Sequence, residues 1–275
     1  MLPRRCVLIA MAAAGLFAQE PPGTPPAAAP GAPAAPVLEN TGKPIALPFA
    51  CTADDMQAAG LTCSQDDPCP VYLELAGAEG TGSRIFLAGN LHAQAVTLSS
   101  MLLASDDEGR TWHEAHERIP SASLDRVQFF DAETGWASGE ILSPLPQDPF
   151  LLLTTDGGKT WRRRPVFDEN AEDHSGTILQ FAFTARDSGS LIIDRGPGSD
   201  SDRYELYESP NGGESWTMRQ TSAKPLRLPK ADAAAASEWR IRAERSTQAF
   251  DIERRRGGAW TPVASFLVKA GACRP

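Results

Sequence analysis

Between Val71 and Leu267 the apolar residues fall into short runs separated by clusters of glycine, aspartate, asparagine and serine. Pairs such as Trp239/Ile241 and Phe250/Ile252 alternate with polar residues, the period of a half-buried strand. The pattern resolves into four units of four expected strands. The first unit has strands over 71–75, 84–88, 101–104 and 111–117, and the second over 124–131, 135–142, 150–155 and 161–166. The third has them over 178–183, 190–193, 204–208 and 216–220, and the fourth over 225–228, 239–242, 250–253 and 260–267. Four strands per unit at this spacing is the plan of a propeller blade. An all-β fold follows: a small β-propeller of about four four-stranded blades, with closure of a four-bladed ring as its weakest point. The alternative is an open arc completed by another chain.

One phrase punctuates the units. It reads Ser105-Asp106-Asp107-Glu108-Gly109-Arg110-Thr111-Trp112, then Thr154-Thr155-Asp156-Gly157-Gly158-Lys159-Thr160-Trp161, then Ser209-Pro210-Asn211-Gly212-Gly213-Glu214-Ser215-Trp216. An echo at residues 253–260 keeps only Gly257 and Trp260. The starts lie 49, 55 and 44 residues apart, the kind of period that marks solenoids and propellers. Chemically the phrase is a turn: Asp107, Asp156 and Asn211 can accept backbone N–H groups, and the glycines tolerate positive φ. Apolar residues precede each turn and a tryptophan follows, so each copy reads as strand, turn, strand with the indole anchored in a core.

These residues resemble the Asp-box, or BNR repeat, of sialidase-type β-propellers. That resemblance implies a structural turn between the third and fourth strands of a blade, and no catalytic role for its aspartates. The stretch from Val127 to Gly139, with Gly135-Trp136-Ala137-Ser138-Gly139, followed by the second phrase, is similar to the repeat of the photosystem II stability and assembly factor family. Sortilin-type propellers use similar units. The narrower resemblance implies a role in assisting assembly of another protein, and the binding role alone is carried over to this chain.

The sequence ahead of the repeats reads differently. Arg4 and Arg5, an apolar stretch from Val7 to Phe17, and Ala18-Gln19 form an export signal over 1–18. Residues 19–50 are expected to be a Pro/Ala-rich linker, residues 51–70 a disulfide-bearing segment, and residues 71–275 the propeller. Thr52 and Asp55 form a capping box and Gly60 a helix stop, so a helix of about two turns should lie between them. An exported chain with Cys51, Cys63, Cys69 and Cys273 is expected to hold two disulfides. A ring brings its ends together, which favours Cys69–Cys273 with Cys51–Cys63; the main alternative is Cys63–Cys69 with Cys51–Cys273.

Net charge is −9, and it becomes −11 without residues 1–18, which carry two arginines and no acids. So acidic an exported domain is a poor partner for nucleic acid. No membrane span is expected once the signal is removed. Catalytic readings are weak. Arg118-Ile119-Pro120 copies a sialidase signature but follows a phrase copy where the family places it before the first. The chain has only Tyr72, Tyr204 and Tyr207 for a Tyr/Glu nucleophile pair. His113-Glu114-Ala115-His116 lacks the spacing of a helical zinc motif and falls on an expected strand. The loop Gly196–Asp202 offers oxygens suited to calcium but reads first as a hairpin connection. Arg162–Arg164 and Arg254–Arg256 read as solvated hairpin charges. The expectation is a secreted or periplasmic, non-enzymatic binding or assembly scaffold without cofactor or metal. Its partner is expected to be a protein, or a glycan in the alternative of a glycan-binding module or sialidase-like hydrolase. Loops 142–149 and 196–203 are the expected variable binding face.

Overall fold

The computed structural model describes residues 36–142, 147–171, 173–198, 202–228 and 238–274. All of these fall in one unit, Ala35–Pro275. The expected export signal, the proline-rich stretch before residue 36 and the Ala233–Ala236 run lie outside the described residues.

Ahead of the repeats come β1 (Leu38–Glu39) and α1 (Ala53–Ala58). The first sheet is built on β2 (Cys69–Thr81), β3 (Arg84–Ala93), β4 (Val96–Ser105) and β5 (Thr111–His116). The second holds β6 (Ala122–Phe129), β7 (Gly135–Ile141), β8 (Gln147–Thr154) and β9 (Arg162–Pro165). The third holds β10 (Thr177–Phe183), β11 (Gly189–Asp194), β12 (Tyr204–Ser209) and β13 (Thr217–Ser222). The fourth holds β14 (Trp239–Glu244), β15 (Ala249–Arg256) and β16 (Ala259–Leu267), and the chain ends in β17 (Lys269–Cys273). Within each blade neighbouring strands pair antiparallel in chain order, and β1 and β17 add to the two edges of the first sheet. The fold is an all-β propeller of four blades with a short cysteine-bearing helical segment ahead of it.

The fourth blade departs from the expected pattern. Residues 225–228 form no strand, so among the described residues this sheet has three strands. Pro225 cannot donate to a ladder, and Leu228 N–H is instead taken by the Gln180 side chain at 3.0 Å. The last segment leaves the fourth sheet as β17 and pairs with β2, so the chain end is stitched to the first sheet.

Residues 38–49, read from sequence as linker, act as a strap. β1 pairs with β5 at the outer edge of the first sheet. Asn40 Nδ2 donates to Gly109 O and Val263 O, at 2.8 and 2.9 Å. Ile45 then bridges Phe266 in the fourth sheet, and Ile45 and Leu47 are buried. The strap thus spans the first and fourth sheets before Thr52 and Asp55 cap α1 reciprocally, with Gly60 at φ +62° beyond its end. The disulfides join Cys51 to Cys273 and Cys63 to Cys69. This corrects the favoured pairing. Cys69 and Cys273 do face each other across the β2–β17 ladder, but the strap delivers Cys51 to Cys273 and leaves Cys69 to the nearby Cys63.

Side-chain alternation explains how the sheets stack. In β4, Met101 and Leu103 join the core shared with the fourth sheet, and Leu102 and Ala104 join the core shared with the second. In β8, Phe150 and Leu152 face the first sheet, and Leu151 and Leu153 face the third. Both runs are continuous in sequence because both faces are covered. β15 is different: Phe250 and Ile252 face the core, whereas Asp251 and Glu253 lie on the opposite face in ion pairs with Arg242 and Arg240. Among the described residues the apolar clusters join the fourth sheet to the first, the first to the second and the second to the third. None joins the third to the fourth.

Candidate functional site

The three turns share one hydrogen-bond network, whose atoms come from the positions repeated in sequence. The first side chain (Ser105, Thr154 or Ser209) accepts the glycine N–H of Gly109, Gly158 or Gly213, each at 2.8 Å. It donates to the third (Asp107, Asp156 or Asn211) at 2.9 Å. That Oδ1 accepts the backbone N–H of Thr111, Thr160 or Ser215, at 2.8, 3.0 and 3.0 Å. The hydroxyls of Thr111 and Thr160 add bonds to Oδ2 at 2.7 and 2.6 Å, and in the third copy Asn211 Nδ2 donates to Ser215 Oγ instead. Trp112 and Trp161 are buried and donate to Gly109 O and Gly158 O. Trp216 packs on Phe183 with its Nε1 unpartnered. Burial opposes ionisation of Asp107 and Asp156, but the converging N–H and hydroxyl donors outweigh it and hold both carboxyls at about 2. Carboxylates this committed to their own turn are poor acids or bases for catalysis.

Each turn also seats on the preceding sheet. Gly109 lies against Val263 of the fourth sheet, and Trp112 meets Phe266 edge-on. Gly158 lies against Phe86 of the first, and Arg84 donates to Gly157 O. Trp136 of the second donates its Nε1 to Gly212 O at 2.8 Å and stacks on Phe183 of the third. Among the described residues the echo at 253–260 shows no such seat. Its β15 and β16 pair right up to Arg256↔Ala259, leaving Gly257 and Gly258 as a two-residue hairpin with φ of +56° and +88° and open space around both. Trp260 lies under Arg240.

Antiparallel pairing puts the ends of β7, β9 and β11 and the starts of β8, β10 and β12 at the rim opposite these turns. There a groove of about 350 Å³ is lined by Ile141, Phe150, Pro165 and Phe167, with Asp148, Arg163, Glu169 and His174 around it. Beside it Tyr207 Oη donates to Glu205 at 2.8 Å, and Arg195 pairs with Glu205 at 2.9 Å while lying over the Phe167 ring. The Tyr/Glu pair is buried in the packing of the second sheet on the third. Burial first, then the Glu205 carboxylate, pushes the Tyr207 phenol well above its usual range.

A second cluster sits on the inner strands, where the first three sheets meet. Glu140 on β7 is only 8% exposed, and its Oε2 has no partner among the described residues. Burial raises Glu140 to about 7, and Asp125 adds to the rise. Asp125 on β6 is raised by burial and by Glu74 on β2, against a hydrogen bond from Ser123 and the charge of Arg126. Charge alone does not say which carboxylates are buried; Glu140, the one charged residue of β7, is the signal the sequence carries.

The other sequence candidates are dispersed. Arg118 pairs with Glu114 and covers Phe49, far in role from any arginine clamp. On β5, His113 approaches Asp106 at 4.0 Å and His116 bonds the Glu117 carbonyl. Arg162 and Arg164 share Glu214, and Arg254 pairs with Glu238. Asp202 takes the Thr221 hydroxyl, while residues 199–201 and 143–146 of the candidate loops lie outside the described residues. Among the described residues no group of three His, Cys, Asp or Glu side chains is arranged to hold a metal, and no helix is long and apolar enough to cross a membrane.

No family model matches the chain. The photosystem II stability/assembly factor HCF136 of Arabidopsis thaliana, a chloroplast protein, is 26% identical over 156 residues, covering 54% of this chain and 32% of that one. The chain is a propeller similar to that assembly factor. It spans about a third of the length of this curated relative. Among solved structures, YCF48 bound to D1 peptide is 19% identical with a TM-score of 0.37, covering 79% of this chain and 58% of that one. A PL25 ulvan lyase is 12% identical with a TM-score of 0.40, covering 76% and 54%. The GH74 xyloglucanase of Xanthomonas campestris is 16% identical with a TM-score of 0.37, covering 69% and 28%.

Proposed function

We propose that this chain is an exported Asp-box propeller that works by holding another protein, as an assembly or binding scaffold, and does no chemistry of its own. The observation that carries the reading is the sequence similarity to an assembly factor across about half of the chain. The turn geometry supports it, because the phrase residues that look acidic in sequence are consumed by their own backbone. The binding surface is assigned to the rim opposite the turns, where the inter-strand connections are longest and most varied between blades. Export rests on the basic and apolar start of the sequence.

The glycan-active alternative has one observation in its favour, the hydrogen-bonded Tyr207–Glu205 pair with Arg195 beside it. A sialidase-type site needs that pair open to substrate and three arginines around it. Here the pair is buried, its phenol is held protonated, and Arg195 alone forms an ion pair with it among the described residues. Affinity capture from the native host with the mature chain as bait, read by mass spectrometry, should return one or a few proteins of the same assembly pathway. Turnover on a fluorogenic glycoside panel, lost on Tyr207→Phe, would overturn the reading in favour of an enzyme.

A further inference from the structure

Where the end of the chain rejoins the first sheet there is a cavity of about 600 Å³. It is lined from both sides of the junction: by Tyr72 on β2, by Val268 and Lys269 where the chain crosses into β17, and by Arg245, Gln248 and Phe250 of the β14–β15 hairpin. That hairpin lies at the end of β15 away from Gly257-Gly258, so the cavity opens on the rim opposite the turns. Lys269 stands directly across from Tyr72 in the β17–β2 ladder, which puts the two side chains on one face. The two sides are tied together through the backbone: Val268 N–H donates to Gln248 O at 2.9 Å, and Leu73 N–H donates to Val268 O at 2.7 Å. A cavity fastened in this way costs a ligand little to order.

The charges around it are unevenly satisfied. Arg240 and Arg242 of the same sheet are neutralised by Glu253, Asp251 and Glu244. Among the described residues Arg245 and Lys269 have no such partner, and both are exposed at the cavity. Glu244 is the one acid of the lining, and both of its oxygens are taken. Oε1 accepts the Ser246 hydroxyl and N–H at 2.7 and 3.1 Å, and Oε2 accepts Arg242 at 2.8 Å. Two exposed cations are ordinarily just solvated. These two flank an apolar lining, with Tyr72 42% exposed and Phe250 half-buried, in a cavity of the size that encloses a ligand. They do so in a chain whose net charge is −9.

We infer that this cavity receives an acidic side chain followed by an apolar one, both presented by the bound protein. The carboxylate pairs with Arg245 and Lys269, and the apolar side chain lies against Tyr72, Phe250 and Val268. This rests on the protein-binding reading above and names the chemistry of the partner. A carboxylate offers only acceptors, and the two uncommitted charges of the lining offer only donors. An acidic sugar carries a carboxylate too, but its hydroxyls also need acceptors, and the one acid of the lining has none to spare. An acidic and apolar pair of side chains therefore fits better than a glycan. Most of the surface of so acidic a chain repels an acidic segment, so this cavity fixes where the partner docks as well as how tightly.

The test uses the full mature chain and dye-labelled peptides blocked at both ends, carrying Glu-Phe, Gln-Phe or Glu-Ser between glycines and serines, with fluorescence anisotropy as the readout. The Glu-Phe peptide should bind, and the other two should each bind about tenfold or more weakly. Arg245→Glu and Lys269→Glu should each weaken Glu-Phe binding about tenfold or more. Lys159→Glu makes the same charge change on the opposite rim and should alter it less than about twofold. All three residues are exposed, so unfolding midpoints should match the parent chain. No binding of the Glu-Phe peptide at millimolar concentration, equal binding of Glu-Phe and Gln-Phe, or equal losses at Lys159 and Lys269 would overturn the inference. Tighter binding by an oligogalacturonate would overturn it in favour of an acidic glycan. If captured host proteins bind the parent and the Arg245→Glu, Lys269→Glu double variant alike, this site falls and the scaffold reading stands; if the Glu-Phe peptide binds here but no host protein is captured, the reverse holds.

Discussion

The turn at Thr154–Trp161 and the turn at Glu253–Trp260 occupy the same place in their blades, between the last two strands. The second-blade turn keeps eight residues in a fixed hydrogen-bond pattern and seats them on Phe86 and Arg84 of the first blade. The fourth-blade turn has shrunk to Gly257-Gly258 between fully paired strands, and among the described residues nothing lies within 4 Å of where a side chain on either glycine would begin. The faces behind the two turns differ in the same way. β8 is apolar on both sides, whereas β15 turns Asp251 and Glu253 outward into pairs with Arg240 and Arg242. The phrase is therefore more than a turn: it is the plug that joins one blade to the one before it, and it is lost where the blade has a charged rather than an apolar face to offer. Terminal repeats of stacked architectures commonly carry such a polar outer face.

This contrast can be broken most forcefully at the indoles. Trp161→Ala should destabilise the domain by about 3–5 kcal/mol, since it empties a packed site between two sheets, while Trp260→Ala should cost less than about 1 kcal/mol. Denaturant unfolding of the two variants measures both, and equal losses would erase the distinction. Next in size is the fastening of the fourth blade to the first. Removing the Cys51–Cys273 bridge with a double serine variant should cost about 2–5 kcal/mol, because it closes a span of 222 residues. Removing Cys63–Cys69, a separation of 6, should cost less.

Acid probes the turns themselves. Asp107 and Asp156 are held at about 2, below their ordinary value of 3.8, so their contribution is present above about pH 4 and is lost as pH falls towards 2. Asn211 binds no proton in that range, so the third turn is blind to it. Asp156→Asn should therefore flatten part of the acid limb of a stability–pH curve, and an unchanged limb would contradict the assigned bonds. The smallest effect is at Glu108, which holds φ of +61° where the other two copies place glycine. Glu108→Gly should leave the domain level or stabilise it by up to about 1 kcal/mol in a thermal melt.

Much of this architecture is legible in the residues. The box positions are local chemistry, since a serine, an aspartate and a glycine at fixed spacing bond one another whatever surrounds them, and the three expected sets of four strands follow. What stays hidden is non-local. Residues 225–228 read as a strand by composition, but they pair with no strand of the fourth sheet, and the Leu228 N–H goes to the Gln180 side chain instead. Ile45 and Leu47 read as linker because their burial depends on the first and fourth sheets lying side by side. The disulfide pairing turned on where that strap ends, and the cavity at Tyr72 and Lys269 exists only because the last strand of the chain pairs with the first strand of the repeats.

Native-state hydrogen exchange resolved to single amides tests the plug most directly. The N–H groups of Gly109, Gly158 and Gly213 each donate to a serine or threonine oxygen at 2.8 Å under a packed blade. They should exchange only in openings that approach global unfolding, while Gly257 and Gly258 should exchange at close to the rate of an unprotected loop. Equal protection at all four turns would contradict the account, because it would mean that the fourth blade is plugged like the rest.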